Sequence, residues 1–441
     1  MTKEITVQRF SQLCLLTLAL NIATLLAAPT AQANDLASND AELRVYEFPL
    51  LDFPYNNGRA PSMRQSLQLS TDFYLAGHNL ILDQIANSDD IQHGQQAGLW
   101  TLLGLVAFDQ AAGYLPLGNI WMHEEWHRAS LGQRGINSSN KMYSIRNYAT
   151  KSEFQIADAA NLKLHHPQDW ARMTTAGLEA QYEQTLEIEK QTFFNNHRPL
   201  MNTLGLRNVL SNIGYMDSCV TNKMADGDCT IWVYELFRPT APVYFQSTRV
   251  LTMEEKKYLK QQRDLSLINL IDPFLFGKRG FTTPAGNWMW NANLRHELTP
   301  FGYTLASNVF LKNRDGLNIF GTVHLYNNET STYPGIDVSL TRYPITVFEQ
   351  PVHITPRLAV WMQPESLMFR DTSAKLGGLV SARIDVPVGK EWSVYGEVES
   401  KSMGWVAANE YLGSSLNVRI GLSLSVEHKT RWRSKMPVSI Q

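Results

Sequence analysis

The stretch that decides the fold is "LNVRIGLSLSVE", which runs from Leu416 to Glu427. Apolar and polar side chains alternate along it without a break. The apolar set is Leu416, Val418, Ile420, Leu422, Leu424 and Val426. Successive side chains of a strand point to opposite faces, so this period of two predicts a β-strand with one apolar and one polar face.

Similar stretches precede it along the back part of the chain. "EWSVYGEVESK" and "LGGLVSARIDV" alternate in the same way, and weaker versions begin soon after Phe281. Turn-rich sequences such as "KNRDG" and "PVGK" separate them. Residues 281–441 are therefore predicted to form an antiparallel meander of about eight strands, most of them near the length that crosses a bilayer.

The front part, residues 34–280, has the pattern of helices joined by loops. "HPQDWARMTTAGLEAQYEQTLEIEKQTFF" predicts a helix from Pro167 to about Phe194, with proline first and Asp169 in the opening turn. The apolar run from Ala97 to Leu117 is interrupted by polar residues, glycines and Pro116, and is interpreted as a buried core helix in preference to a membrane span. The predicted fold class is α+β.

The N-terminus has the features of an export signal. Lys3 and Arg9 precede the apolar run "LCLLTLALNIATLLAA", and "AQA" ends at Ala33. Residues 1–33 are predicted to be a secretory signal peptide, with an uncleaved membrane anchor as the alternative. Both interpretations place the mature chain outside the cytoplasm, in the periplasm or the outer membrane.

Two cysteines remain after the signal, in "DSCVTNKMADGDC". The short polar segment between Cys219 and Cys229 suits a surface loop, and an oxidising compartment allows the two thiols to pair. We expect a disulfide that closes this loop. The spacing lacks the second pair of ligands that a zinc ribbon needs.

The segment that carries chemistry is "NIWMHEEWHRASLG", predicted as a helix that ends at Gly132. On a helix, His123 and His127 lie on one face and can present two imidazole nitrogens to one metal ion. Glu124, beside them, could take a proton from water at that ion. The alternative is a pair of surface histidines on a charged helix face.

This His-Glu-x-x-His pattern resembles the zincin metallopeptidases. The resemblance implies zinc bound by His123 and His127, with Glu124 as general base and a third protein ligand. Ser130 and Gln133 stand where the extended zincin pattern has glycine and a third histidine, so that branch is excluded.

The gluzincin branch takes its third ligand from a glutamate on a later helix. In "TTAGLEAQYE" this glutamate is Glu179; Ala176 and Gly177 permit close helix approach, and Glu183 is a supporting residue behind the ligands. His165 or His166 remains an alternative third ligand. Glu125 departs from the pattern, because zincins generally have uncharged residues at that place.

The back part resembles a bacterial outer-membrane β-barrel, which turns its apolar face to lipid and its polar face to the lumen. A soluble sandwich alternates in the same way with its apolar face inward. The chain end, "RWRSKMPVSIQ", departs from the terminal aromatic strand that is usual in such barrels. We expect a closed barrel.

Together these features predict a zinc metallopeptidase or related hydrolase of the cell envelope that acts on a peptide or protein. One alternative is a non-catalytic outer-membrane barrel with a helical plug or cap, and another is a secreted metal-binding module on a soluble β-domain. The net charge of −2 gives no attraction to nucleic acid. The sequence specifies neither the substrate nor the oligomeric state.

Overall fold

The structure is a computed structural model that describes residues 42–55, 60–86, 94–140, 152–195, 202–222, 224, 226–246, 250–283, 286–313 and 316–428. The predicted signal peptide, residues 1–33, lies outside the described residues. Within them the chain is α+β, as the sequence predicts, with eight α-helices and a large antiparallel sheet of 11 strands.

The helices of the described chain occupy the front part. In chain order they are α1 Met63–Ala86, α2 Gly94–Ala112, α3 Asn119–Gly132, α4 Ile156–His165, α5 Pro167–Phe194, α6 Thr203–Val220, α7 Asp228–Phe237 and α8 Met253–Ser266. Among these helices, none combines the length and the hydropathy that crossing a membrane requires.

Two helix predictions have different outcomes. Helix α5 has the predicted bounds, because its proline opens the first turn and good helix formers follow without interruption. The predicted buried helix of residues 97–117 is corrected: α2 ends before Pro116 and packs on α1 and α6. Leu105 and Ala112 are buried but Trp100 and Leu103 are exposed, so this helix is buried on one side only.

The strands are β1 Glu42–Phe53, β2 Ser139–Asn140, β3 Ser152–Glu153, β4 Phe281–Thr282, β5 Trp288–Thr299, β6 Gly302–Asn313, β7 Asn318–Asn327, β8 Thr332–Leu340, β9 Tyr343–Val347, β10 Gln350–Pro364, β11 Ala374–Pro387, β12 Trp392–Lys401 and β13 Ser415–His428. In the large sheet the order is β1-β13-β12-β11-β10-β8-β7-β6-β5-β4, with β9 paired to β10. Strands β2 and β3 form a separate pair.

The eight predicted strands correspond to β5–β8 and β10–β13, and the sheet adds three more. Strand β1 comes from the part that was expected to be helical, and it pairs antiparallel with β13. In the described chain the hydrogen-bonded path runs from β1 to β4, and no pairing joins these two ends. The predicted closed barrel is therefore not confirmed.

The sheet has an exposed apolar face and a buried charged face, which is the reverse of a soluble sandwich. On β13, Val418 and Ile420 are exposed, whereas Arg419 between them is 7% exposed and pairs with Asp52 and Glu399. Large exposed apolar side chains continue along the neighbouring strands: Val323, Ile336, Val338, Leu358, Val360, Leu376, Val380, Ile384, Val394, Val398 and Leu416. The apolar face is thus outward and the charged face inward, which excludes the sandwich with a buried apolar face.

Helix α5 lies against the inner face of the sheet. Its Glu189 forms a buried ion pair with Arg295 of β5, and its Phe193 and Phe194 pack on Phe310 of β6. Side chains of the second half of α5 line a cavity of about 280 Å³ together with residues of β1, β5–β8 and β10–β13. The sheet therefore curves around this cavity and the second half of α5.

Candidate metal centre

The candidate site is built on α3 and the first half of α5. Pro116 and Gly118 precede α3, which ends at Gly132 as predicted. One face of α3 buries Met122, Trp126 and Ala129 against Ala176 and Ala180 of α5. This packing fixes the adjacent face of α3, where His123 and His127 stand between α5 and α7.

Three side chains converge at this place. The Nε2 atoms of His123 and His127 are 3.2 Å apart, and Asp228 Oδ2 lies 3.0 Å from the first and 3.4 Å from the second. One ligand atom from each residue falls within a common span of 4.8 Å. A His-His-Asp group of this kind could hold a metal ion, since two imidazoles and a carboxylate are ordinary metal ligands.

Helix α5 contacts both histidine rings. His127 is buried, and its Nδ1 donates a hydrogen bond of 2.6 Å to the carbonyl oxygen of Met173 on α5. A carbonyl can only accept, so Nδ1 carries a proton in both charge states of the ring, and Nε2 is the nitrogen that can give its lone pair to a metal when the ring is neutral. Gly177 provides the room for the other ring, because a Cβ there would lie 2.3 Å from His123 Nε2.

Asp228 is the first residue of α7 and is held by α6. Its backbone N–H donates to Tyr215 Oη at 2.9 Å, and the next residue, Cys229, forms the predicted disulfide with Cys219. The disulfide prediction is confirmed. The ring of Tyr215 also meets the ring of His123 edge to face, with centroids 6.5 Å apart.

The electrostatics of the site favour a cation. Burial alone lowers the pKa of His127, but the charge of Asp228 and a hydrogen bond to it raise that pKa to about 9. Burial alone raises the pKa of Asp228, but His127 and His123 hold it well below its ordinary value. Burial, together with the nearby Asp228 charge, raises the pKa of Tyr215, so its hydroxyl stays protonated at neutral pH.

The two glutamates of the motif point to different partners. Glu124, the predicted general base, accepts the backbone N–H of Ser152 at 2.7 Å through Oε2 and acts electrostatically on His127. Glu125, which departs from the zincin pattern, is buried and binds Arg128 of the same helix through both oxygens at 2.6 and 2.7 Å. The extra charge is thus neutralised within α3, and Arg128 is engaged there.

The predicted third ligand is corrected. Glu179 is buried, but its carboxylate binds Arg172 through both oxygens and accepts the backbone N–H of Ala408 at 3.0 Å. These partners hold it in place, and the third group beside the two histidines is Asp228. Glu183, expected to support the ligands, instead lines the cavity on the inner face of the sheet.

His165 and His166, the alternative third ligands, lie at the junction of α4 and α5 and are not part of the cluster.

Asp228 has only a weak signal in the sequence. It stands 101 residues after His127, in "GDCTIWVYELF", and no spacing rule connects the two. The one available sign is that it opens an apolar helix next to a disulfide cysteine, where a carboxylate is held in place.

Comparison with known proteins gives no relative for this chain: no family model, no curated protein and no solved structure matches it. The geometry of the site and of the sheet is therefore the basis for a function.

Proposed function

We propose that the chain is a zinc-dependent hydrolase of the bacterial cell envelope that cleaves peptide bonds. The observation that carries this proposal is the convergence of His123, His127 and Asp228 beside Glu124. Three protein ligands that leave a further position free are typical of catalytic zinc, whereas structural zinc sites are closed by four.

The donor set supports zinc over the hard cations. Two of the three donors are imidazole nitrogens, and calcium and magnesium prefer oxygen ligands. A bound zinc ion would supply a Lewis acid that polarises a scissile carbonyl and makes nearby water more acidic. The hydrogen bond from His127 to the Met173 carbonyl keeps that imidazole oriented as a ligand.

In this proposal Glu124 moves the proton. The backbone N–H of Ser152 anchors Oε2 and leaves Oε1 to accept a proton from water, which Glu124 then gives to the leaving amine. Glu125 takes no part, because Arg128 holds both of its oxygens.

The sheet supports a location in the outer membrane. Its outward face carries apolar side chains such as Leu358 and Val380, which are 60% and 59% exposed and stand opposite each other on β10 and β11. Its inward face carries paired charges such as Arg357 with Asp337. Lipid is the surroundings in which an outward apolar face is stable.

The same observation favours a second candidate, a non-catalytic outer-membrane protein in which α5 fills the interior of the sheet. The two candidates share the membrane location and differ at the metal. A secreted metal-binding module on a soluble β-domain is disfavoured, because its apolar strand faces would have to be covered.

The test compares Glu124→Gln with the neighbouring variant Glu125→Gln, both loaded with zinc. Cleavage of a mixed peptide library is followed by mass spectrometry, and zinc is measured by elemental analysis. We expect Glu124→Gln to keep about one zinc per chain and lose hydrolysis, and Glu125→Gln to keep both. Hydrolysis by Glu124→Gln at the wild-type rate would contradict the mechanism, and a zinc-loaded wild type that cleaves nothing would favour the non-catalytic candidate.

A further inference from the structure

Asp228 is the one member of the metal cluster that does not come from α3. It follows the segment that joins α6 to α7, and two contacts to α6 flank it directly. Its backbone N–H donates to Tyr215 Oη, and its neighbour Cys229 is bonded to Cys219. Tyr215 and Cys219 are four residues apart and therefore lie on the same side of α6.

The contact with Tyr215 gives an acceptor to one of the first backbone N–H groups of α7. The first N–H groups of a helix have no partner within the helix, and the N-cap residue of α7, Gly227, has no side chain to accept one. Tyr215 Oη accepts the N–H of Asp228, while the ring of the same residue lies against His123. The side chain of Tyr215 thus contacts two of the three candidate ligands.

The disulfide fixes the same point of the backbone from the other side. Cys229 is fully buried and Cys219 nearly so. A Cβ at Gly227 would lie 3.0 Å from Cys219 Sγ, so the backbone before Asp228 runs directly against the disulfide. The residue before Asp228 and the residue after it both contact Cys219.

We infer that Tyr215 and the Cys219–Cys229 disulfide are positioning residues that hold Asp228 ready as the third ligand, so that metal affinity depends on whether the disulfide has formed. This inference rests on the proposed metal site. Groups that hold a ligand in its binding geometry before the metal arrives reduce the ordering that binding must impose. The site would then reach its full metal affinity only after the chain enters an oxidising compartment.

The experiment measures metal affinity directly and needs no substrate. Full-length protein is titrated with zinc against a chromophoric chelator and with cobalt(II), whose visible absorption reports the coordination geometry. The variants are Cys219→Ser/Cys229→Ser and Tyr215→Phe. The control is Asp217→Asn, which breaks an ion pair of α6 with Arg263 without touching the contacts of Asp228.

We expect both positioning variants to bind zinc about 10- to 100-fold more weakly, the range seen when groups that orient a ligand are removed. Their cobalt spectra should lose intensity, while Asp217→Asn stays within about twofold of wild type. Wild-type affinity and spectrum in both positioning variants would overturn the inference. Asp228→Asn is measured beside them: if it also binds like wild type, the proposed metal site itself is wrong.

If the double serine variant does not fold, the folded wild type is reduced instead. A water-soluble phosphine reduces the disulfide to two thiols and is oxidised to the phosphine oxide, with water supplying the oxygen and the two thiol protons, and alkylation then blocks the thiols. The same loss of affinity is expected for this protein and for Tyr215→Phe. Unchanged affinity in both would reject the positioning role.

Discussion

The contact between Gly177 and His123 leads to a prediction whose size follows from the structure. In Gly177→Ala the new Cβ would lie 2.3 Å from His123 Nε2 and 2.4 Å from Cε1. Carbon and nitrogen atoms in contact need roughly 3.5 Å, so the ring must move by about 1 Å or more. A zinc–nitrogen bond is about 2.0–2.1 Å long, and a displacement of that size breaks it.

The folded state should change much less than the metal site. Overpacking costs about 1–3 kcal/mol, whereas replacing a helical glycine by alanine contributes about 0.5–1 kcal/mol of stabilisation. The ring of His123 is the end of a side chain and can turn away, so the net loss of unfolding free energy should not exceed about 2.5 kcal/mol. Zinc affinity should fall at least 10- to 100-fold, because a ligand is displaced and not merely loosened.

The assay pairs chelator competition for zinc with urea unfolding. Gly214→Ala is the matched control, because Gly214 is also helical and a Cβ there meets nothing within 4 Å. The control should bind zinc normally and be equally or more stable. If Gly177→Ala binds zinc as tightly as wild type, the His123 ring does not bind metal in the position it has here, and the reasoning fails.

Three further predictions concern the third ligand, pH and the membrane. Asp228→Asn should lose stoichiometric zinc and Glu179→Gln should keep it, by elemental analysis; the reverse result would restore Glu179 as the ligand. Burial raises the pKa of Glu179 from 4.5 to about 7, so the Glu179 carboxyl group binds its proton more tightly in the folded chain than in the unfolded chain. Its stabilising contribution is complete below pH 4.5 and is lost as the pH rises through 7, by roughly 3 kcal/mol in total. Urea unfolding at several pH values should show this slope in wild type and a shallower slope in Glu179→Gln; equal slopes would contradict the assignment. Leu358→Arg should cost about 2–4 kcal/mol for folding into lipid vesicles if that face meets acyl chains, whereas Val388→Arg, beyond the end of β11, should cost about 1 kcal/mol or less. An equal, small cost for both arginines would argue against a lipid-facing sheet.

Local pattern predicted the elements of this fold well. Alternation, strict in β11–β13 and weaker in the earlier stretches, identified β5–β8 and β10–β13, and a first-turn proline followed by helix formers predicted both ends of α5. Each of these signals lies within the strand or helix that it predicts, so a single sequence is enough to detect it. Strand β1 was missed because it is far from the meander along the chain and its partner, β13, is near the other end.

In the candidate site, too, the local part could be predicted from the sequence and the part that depends on tertiary packing could not. His123 and His127 are four residues apart on one helix, so their spacing carried the information. The third group depends on which later helix packs against α3, and tertiary packing decides that. Glu179 met the expectation of a glutamate on a later helix but is held by Arg172, whereas Asp228 had no spacing to reveal it.

The charge at Glu125 is likewise explained only in three dimensions. The sequence shows an additional glutamate inside the motif. In the structure it is buried and accepts hydrogen bonds from Arg128 and Asn140, and it does not contact the two histidines through these bonds. A departure from a family pattern can therefore be local and leave the candidate ligands unaffected.

The metal site can be tested directly by a crystal structure of the zinc-loaded protein with anomalous data collected at the zinc absorption edge. We expect one zinc ion bonded to Nε2 of His123, Nε2 of His127 and a carboxylate oxygen of Asp228, at bond lengths of about 2.0–2.2 Å. Absence of an anomalous peak between these three residues in fully zinc-loaded protein, or a peak at Glu179 in its place, would contradict it.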